Sequence, residues 1–155
     1  MNKYLGVKIV SAKAMKLGAY NEYRGWTIPE NEDPELDGYL VEYEDGYQSW
    51  IPATVFDKAY HKIDALPFSA AIEAVKSGKK IARAGWNGKG MFVVYQKAYP
   101  QGIPCNKQTA DAWGMKEGEL FRCEPYLQLK MVNGSHSMWV PSINDVLAED
   151  WTIVE

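Results

Sequence analysis

The sequence predicts an α+β fold of small antiparallel β-sheets, with one main helix packed on the C-terminal sheet and a small β-rich module before it. Two hairpin signals predict the sheets, because Asp45-Gly46 and Asn133-Gly134 each separate two largely apolar runs. The helix is predicted by Phe68, Ile72 and Val75, which lie at i, i+4 and i+7 on one helical face. A chain of 155 residues suits one domain or two very small ones.

A change of pattern near residue 65 predicts two parts, residues 1–64 and residues 65–155. The first part is predicted to be β-rich and its role is not evident from its residues. Its candidate elements are a strand at 8–10, the hairpin around Asp45-Gly46 and a short helix at 54–60. An acidic stretch broken by Pro34 reads as a loop before the hairpin.

The second part carries the stronger helical signal. Pro67 can occupy the first turn of the predicted helix, and Gly78 can end it. Residues 97–125 are predicted to be a long loop, because Pro and Gly punctuate them repeatedly. The remaining candidates are strands at 80–84 and 91–96 around a glycine-rich turn, a hairpin at 126–140, a helix at 143–149 and a strand at 151–154.

The two hairpins resemble one another. One ends in Trp50-Ile-Pro52 and the other in Trp139-Val-Pro141, and a Gly-Trp pair precedes each, at Gly25-Trp26 and Gly85-Trp86. An ancient duplication would explain this likeness. Chance recurrence is the alternative, because the spacings between the motifs differ, and the sequence leaves both interpretations open.

Bulk properties exclude several classes of protein. A net charge of −3 is too small for a DNA or RNA binder driven by phosphate contacts. Residues 65–155 hold ten Lys/Arg and nine Asp/Glu, whereas residues 1–64 hold seven and eleven, so an anionic ligand would prefer the second part. The N-terminus lacks the apolar core of a signal peptide and no apolar run approaches a membrane span, so a cytoplasmic protein is expected.

No pattern of catalytic or metal-binding residues is evident. The chain has two histidines and no Gly-x-Ser-x-Gly or Walker motif. A metal site from Cys105, Cys123 and His136 would lack the usual ligand spacing, and the two cysteines do not indicate a disulfide framework. We therefore predict no catalytic residue, no metal and no cofactor, with the carboxylates Asp145, Glu149 and Asp150 as the enzymatic alternative.

Trp86 is the aromatic residue that most favours a ligand site. It lies in a glycine-rich turn, with Arg83 three residues before it and Lys89 three residues after it. An indole beside two cations suits a ligand that carries a base and phosphates, because the base stacks and the phosphates accept charge-assisted hydrogen bonds. A solvated basic loop is the alternative for the turn, and core packing is the alternative for Tyr126 and Trp139.

Ser142 and Asp145 have two compatible interpretations. Ser142-Ile-Asn-Asp145 reads as a helix N-cap followed by an acidic residue, close to a capping box. The Asp145 carboxylate could instead face a ligand. A residue of such a cap can also touch a bound molecule, so one role does not exclude the other.

Three segments together resemble one protein family. Residues 68–83 are similar to its opening helix and first strand, Gly85-Trp-Asn-Gly-Lys-Gly-Met91 to its signature turn, and Trp139-Val-Pro-Ser-Ile-Asn-Asp-Val-Leu-Ala-Glu-Asp-Trp151 to its closing signature. This is the Thoeris anti-defence type 2 family of phage proteins, and the likeness spans about residues 67–155. The chain differs from the short family pattern in its extra N-terminal residues and in the long loop at 97–125, which could shape the pocket.

The resemblance implies a non-catalytic phage protein of the host cytoplasm that blocks Thoeris- or CBASS-type immunity. Such a sponge sequesters a cyclic nucleotide signal, a cyclic ADP-ribose isomer or a cyclic oligonucleotide, in pockets between the subunits of a homo-oligomer. A virion-associated or protein-interaction module and an enzyme that degrades the signal are the other candidates. The predicted ligand-binding residues are Arg83, Trp86, Asn87, Lys89, Met91, Tyr126, Trp139, Pro141, Ser142, Asp145 and Asp150.

Overall fold

The structure is a computed structural model that describes residues 1–3 and 6–154. The chain divides into two compact units, Met1–His61 and Lys62–Glu155. Both contain helices and small antiparallel sheets, which confirms the predicted α+β class. Among the described residues, none of the helices has the length and apolar character needed to cross a bilayer.

The N-terminal unit is a three-stranded antiparallel sheet with two short helices. Its strands lie in the order β1-β2-β3. The predicted hairpin is confirmed, because β2 and β3 pair as antiparallel neighbours, Gly46 adopts the left-handed conformation at φ 81°, and the Tyr47 amide donates to the Asp45 carboxylate at 3.0 Å. Its turn is not the type I′ turn that an Asp-Gly pair favours, because Asp45 does not have a positive φ. The elements are β1 (Ser11–Ala14), α1 (Leu17–Arg24), β2 (Gly38–Glu42), β3 (Gln48–Pro52) and α2 (Ala53–Ala59).

Two details of this unit differ from the prediction. The first strand begins at Ser11, so the strand placed at residues 8–10 is wrong. Helix α1 was not predicted at all, because it buries Gly18, Tyr20 and Asn21, a mixed set without apolar periodicity. Its end is well defined, since Gly25 adopts φ 69° and accommodates the left-handed C-cap.

The C-terminal unit is a five-stranded antiparallel sheet in the order β10-β4-β5-β8-β9. Helix α3 packs against β4, β5 and β10, which agrees with the main helix predicted from the apolar spacing. The core between helix and sheet includes the fully buried Val75, Ile81, Val93 and Trp151. The elements of this sheet layer are α3 (Phe68–Lys76), β4 (Lys80–Arg83), β5 (Phe92–Gln96), β8 (Tyr126–Lys130), β9 (His136–Trp139), α5 (Ile143–Val146) and β10 (Trp151–Val154).

The segment between β5 and β8 is ordered, so the loop predicted for residues 97–125 is wrong. It contains β6 (Tyr99–Pro104), α4 (Lys107–Trp113) and β7 (Leu120–Cys123), and the two strands pair as a separate antiparallel sheet. Asn106 caps α4 by accepting the Thr109 amide at 2.9 Å. The Gly and Pro residues that suggested a loop lie at the bulge and at the ends of these elements, where the backbone needs them.

Candidate functional site

Three tryptophans form an edge-to-face cluster in the C-terminal unit. Trp151 is fully buried, whereas Trp86 and Trp139 are half-buried. The ring centroids of Trp86 and Trp151 lie 5.5 Å apart, and those of Trp86 and Trp139 lie 6.1 Å apart. Although Trp86 lies in a glycine-rich turn, its indole packs against the core and keeps only part of its surface open.

Arg83 at the end of β4 links two carboxylates that are distant in sequence. Its Nε atom donates to Asp150 at 2.8 Å, and its Nη1 atom donates to Asp145 at 3.0 Å. We call these three residues the Arg83 clamp. The hydrogen bonds to Asp150 and Asp145 raise the pKa of Arg83 above its usual value. The guanidinium is thus committed to protein carboxylates, which leaves less of it for a phosphate than the sequence suggested.

Asp145 belongs to a complete capping box, which confirms the structural interpretation of this motif. Its carboxylate accepts the Ser142 amide at 2.9 Å and the Ser142 hydroxyl at 2.7 Å, while its own amide donates to the Ser142 hydroxyl. Burial raises the pKa of Asp145, but hydrogen bonds from Ser142, Arg83 and Trp86 outweigh burial and hold the pKa below its usual range. The carboxylate is therefore ionised at neutral pH.

Asp150 anchors the turn that carries Trp86. Its carboxylate accepts the Gly85 amide at 2.8 Å as well as the Arg83 side chain. The hydrogen bond from Arg83 lowers the pKa of Asp150, and the Gly85 amide adds to that shift. A Cβ on Gly85 would lie 2.8 Å from the Asp150 carboxylate, so the glycine permits this close approach.

The turn at 84–90 is also held from the opposite side. The space beside Gly88 is filled by the Met91 sulfur, which would lie 2.3 Å from an added Cβ. Lys130 donates from Nζ to the Gly90 carbonyl at 3.0 Å. Asn87 and Lys89 are exposed at the tip of this turn. Two of the predicted ligand-binding side chains are therefore exposed to solvent, on a turn whose backbone is held in place by several contacts.

Tyr126 does not join the tryptophan cluster. Side chains alternate between the two faces of a strand, and Leu127 and Leu129 contribute to the core face of β8. Tyr126, which pairs with Gln96, projects from the opposite face. The sequence could not separate these cases, because Tyr126 and Leu127 are adjacent apolar residues and only the register decides which one faces the helix.

Exposed apolar side chains lie on and after the edge strand of the sheet, near Trp139 in sequence. Strand β9 is the last strand of the sheet, and it pairs only with β8 among the described residues. Trp139 and Pro141 are half-buried at its end, between side chains that are exposed. We call this exposed set the β9 surface, and its apolar members are Met138, Val140, Ile143 and Leu147.

Two clefts of the chain lie away from the tryptophan cluster. Their volumes are about 500 Å³ and about 510 Å³, and both are lined by residues of the N-terminal unit. None of the predicted ligand-binding residues lines either cleft. Within the single chain, the tryptophan cluster has two half-buried rings and therefore forms a partly open wall.

Two residues of this region were missed by the sequence analysis. Trp151 was left out of the predicted site, yet its indole N–H donates to the Asp145 carbonyl at 2.9 Å and supports both other tryptophans. Lys130 adds a cation beside the turn. The Asn133-Gly134 hairpin places Lys130 opposite His136, whereas the pairing of β5 with β8 places it opposite Phe92. No local motif specifies the pairing of β5 with β8, so the sequence offered no direct signal for Lys130.

The thiols and carboxylates do not form a metal centre within the described part of the chain. Both Cys105 and Cys123 are free, and Cys105 is buried with its thiol donating to the Lys116 carbonyl at 3.1 Å. Residues 1–3 and 6–154 contain no group of three or more His, Cys, Asp or Glu side chains arranged to hold a metal ion.

Comparison with known proteins gives a family match, which lies in the C-terminal unit, and a similar phage protein. Residues 66–154 match a family model described as Tad2-like, the Thoeris anti-defense 2-like domain. The chain is also similar to a protein of Bacillus phage SP01 named Thoeris anti-defense 2. Identity between them is 36% over an alignment of 93 residues, and the alignment covers 57% of this chain and 94% of the phage protein.

Proposed function

The chain belongs to the Tad2-like family of Thoeris anti-defense 2 proteins, and from that premise we propose that it captures a cyclic nucleotide signal without cleaving it. Phage anti-defence is the function that the family carries in its name. The finer proposal is that a cyclic ADP-ribose isomer or a cyclic oligonucleotide binds at the tryptophan cluster and is released unaltered. The observation that carries it is the pair of half-buried indoles, Trp86 and Trp139, which pack edge-to-face against each other and against the buried Trp151.

Rigid aromatic walls favour tight binding because little conformational entropy is lost when the ligand enters. The Arg83 clamp and the Gly85 hydrogen bond hold the turn, and the buried Trp151 supports both half-buried rings. Lys89 and Lys130 lie at or next to the same turn, where they favour a ligand that carries phosphates. In this proposal the bases stack on the indoles and the phosphates are held by the lysines.

The β9 surface supports a pocket that is completed by a second copy. An edge strand with exposed apolar neighbours favours association, because pairing satisfies its free backbone groups and buries Met138 and Val140. A homo-oligomer formed through this surface would bring a second chain next to Trp139. We therefore propose a homo-oligomeric sponge that acts in the cytoplasm of the phage's host.

The carboxylates of the site favour binding over catalysis. A general acid or base works best with a pKa near the working pH. The pKa values of Asp145 and Asp150 are lowered, and both carboxylates already accept hydrogen bonds from Arg83 and backbone amides. Their hydrogen-bonding capacity serves the fold, which argues against the alternative of an enzyme that degrades the signal.

Capture and release test this proposal directly. The full chain is incubated with cyclic ADP-ribose isomers and cyclic oligonucleotides, separated from free compound by gel filtration, heated, and the supernatant is analysed by mass spectrometry. We expect one member of the panel to be recovered intact and in stoichiometric amount. Recovery of a cleaved product would support the enzyme, and absence of any captured compound would favour the protein-interaction module.

A tryptophan variant connects the result to the proposed site. Stacking on an aromatic residue contributes about 1–3 kcal/mol per base, so Trp86→Ala should weaken binding by about one to two orders of magnitude. Trp113→Ala is the matched control, because Trp113 is 67% exposed on α4 and outside the cluster. Equal affinity of the two variants in calorimetry would remove Trp86 from the site.

A substitution in the β9 surface tests whether the proposed oligomer forms through it. Val140→Asp should shift the protein to a smaller species in light scattering, because a charge would have to be buried in the interface. Val55→Asp, at an exposed apolar residue of α2, is the control and should leave the assembly unchanged. An unaltered mass for Val140→Asp, or a monomeric wild type, would contradict the proposed interface.

A further inference from the structure

The N-terminal unit contains a cleft of about 500 Å³ with aromatic walls. Tyr20, Trp26 and Trp50 supply three of its lining residues, and Trp26 is 54% exposed. An indole that stays open on the wall of a cleft is a typical anchor for a ligand. The remaining lining residues are Leu17, Asn21, Thr27, Pro29 and Glu32.

The walls of this cleft are held by the fold rather than by a ligand. The C-cap of α1 positions Trp26, because the Trp26 amide donates to the Asn21 carbonyl at 2.8 Å and the ring meets Tyr20 edge-to-face. Trp50 donates from Nε1 to the Met15 carbonyl at 2.7 Å and packs on Gly38, where a Cβ would lie 2.2 Å from the indole. The cleft is therefore preformed, which lowers the cost of binding.

The charges at the cleft favour a cation. Its lining includes one carboxylate, Glu32, and no lysine or arginine. Asn21, only 5% exposed, donates from its amide to the Glu32 carboxylate at 3.3 Å and holds it at the wall. The whole unit is acidic as well, with six Lys/Arg against ten Asp/Glu in residues 1–61. An anion would be repelled here, in contrast to the lysine-flanked turn of the C-terminal unit.

The Trp26 ring is accessible to a positive charge, and the exposed Arg24 side chain that now contacts it is the group a ligand cation would displace. The Arg24 guanidinium lies 5.0 Å from the centroid of the indole ring. Cation–π attraction is strongest for weakly hydrated charges spread over several atoms, and methylated ammonium groups are of this kind. A compact primary ammonium would instead keep its water, and one carboxylate could not replace that shell.

We propose that this cleft binds a small compound with a methylated ammonium group, whose charge lies between the indoles of Trp26 and Trp50 and faces Glu32. Trp26 belongs to the first Gly-Trp motif and Trp50 to the first Trp-x-Pro motif of the sequence. The proposed sponge function involves neither of these two residues. The C-terminal unit uses the same two motifs for Trp86 and Trp139. This inference does not rest on cyclic nucleotide capture, because no residue is shared between the two sites.

The probe is choline, compared with its uncharged isostere 3,3-dimethylbutan-1-ol. Both are titrated into isotopically labelled full-length protein, and the amide and indole signals are followed by NMR. Choline should shift the signals of Trp26 and Trp50 with a Kd on the order of 1 mM or tighter. The isostere should bind at least about tenfold more weakly, since it keeps the shape and lacks the charge.

Two variants assign the effect to the cleft. Glu32→Gln keeps the shape and the Asn21 partner but removes the charge, and it should weaken choline binding severalfold or more. Glu30→Gln is the matched control, because Glu30 is an exposed carboxylate two residues away that does not line the cleft. Trp26→Ala should abolish the shifts, with the melting temperature recorded to verify folding.

Four results would overturn the proposal. The first two are the absence of any choline-dependent NMR shift and equal affinity for choline and its isostere. The other two are an equal loss of choline affinity in Glu32→Gln and Glu30→Gln, and NMR shifts confined to residues outside the cleft. Loss of cyclic nucleotide capture with choline binding intact would leave this proposal standing and refute only the sponge, so the two failures are distinguishable.

Discussion

Replacing Arg83 with glutamine should destabilise the C-terminal unit by about 2–3 kcal/mol at neutral pH. Breaking a buried ion pair from one side costs about 3–5 kcal/mol, whereas an exposed pair contributes about 0–1 kcal/mol. The Arg83 clamp lies between these limits, because the exposed fractions are 21% for the Arg83 side chain, 13% for Asp145 and 34% for Asp150. Arg83→Gln keeps most of the apolar stem and removes the charge, so the loss reports the electrostatics of the clamp.

The assay is urea unfolding at several pH values, with Arg122→Gln as the control. Arg122 is an exposed arginine of β7 for which the described residues provide no ion pair. The control should change the free energy of unfolding by less than about 0.5 kcal/mol. Far-UV circular dichroism separates the transition of the C-terminal unit if the two units unfold independently.

The pH dependence gives a second, independent test. Asp145 and Asp150 have lowered pKa values in the folded chain, so their ionic contribution is present above the unfolded Asp pKa of about 3.9. It is lost as the pH falls through the folded-state pKa values, which lie below that. The difference in the free energy of unfolding between wild type and Arg83→Gln should be largest near pH 6 and should decrease below about pH 4. A difference smaller than about 0.5 kcal/mol at pH 6, or one that does not change in acid, would refute the reasoning.

Three further substitutions test the packing on which the two units depend, each by urea unfolding. Gly38→Ala should destabilise the N-terminal unit by about 1–3 kcal/mol because the new Cβ would meet the Trp50 ring at 2.2 Å, and a stable variant would contradict that contact. Ser142→Ala should cost about 0.5–2 kcal/mol through loss of the capping box with Asp145, and no loss would mean that the cap is dispensable. Trp151→Phe should cost about 2–4 kcal/mol because it leaves a cavity and removes the indole hydrogen bond to the Asp145 carbonyl; a neutral effect would mean that the core relaxes around it.

Local patterns predicted most of the elements. The Asp45-Gly46 turn and the helix from Phe68 were predictable because each depends on residues a few positions apart. The capping box of Ser142 and Asp145 was predictable for the same reason. Helix α1 was not, because its N-terminal end is held by backbone hydrogen bonds to a distant loop, such as Gly18 to Pro34 at 3.0 Å.

In the candidate site, too, local features were predictable from the sequence and long-range contacts were not. The sequence singled out Trp86, Asp145 and Asp150, but it paired Arg83 with a ligand phosphate, whereas the structure pairs Arg83 with the two carboxylates. These partners lie more than 60 residues from Arg83, so no local spacing could have matched them. The sequence analysis grouped Tyr126 with the tryptophans because the register of β8 against β5 could not be predicted.

The sequence by itself determined the fold class, the hairpins, the principal helix and the family, because all of these are written in short-range periodicity and in contiguous motifs. Only the tertiary structure decided which side chains share a face, which charges neutralise one another and where the clefts open. The physical reason is that contacts between distant segments follow from strand register and packing, and a shift of one residue in register exchanges the two faces of a strand.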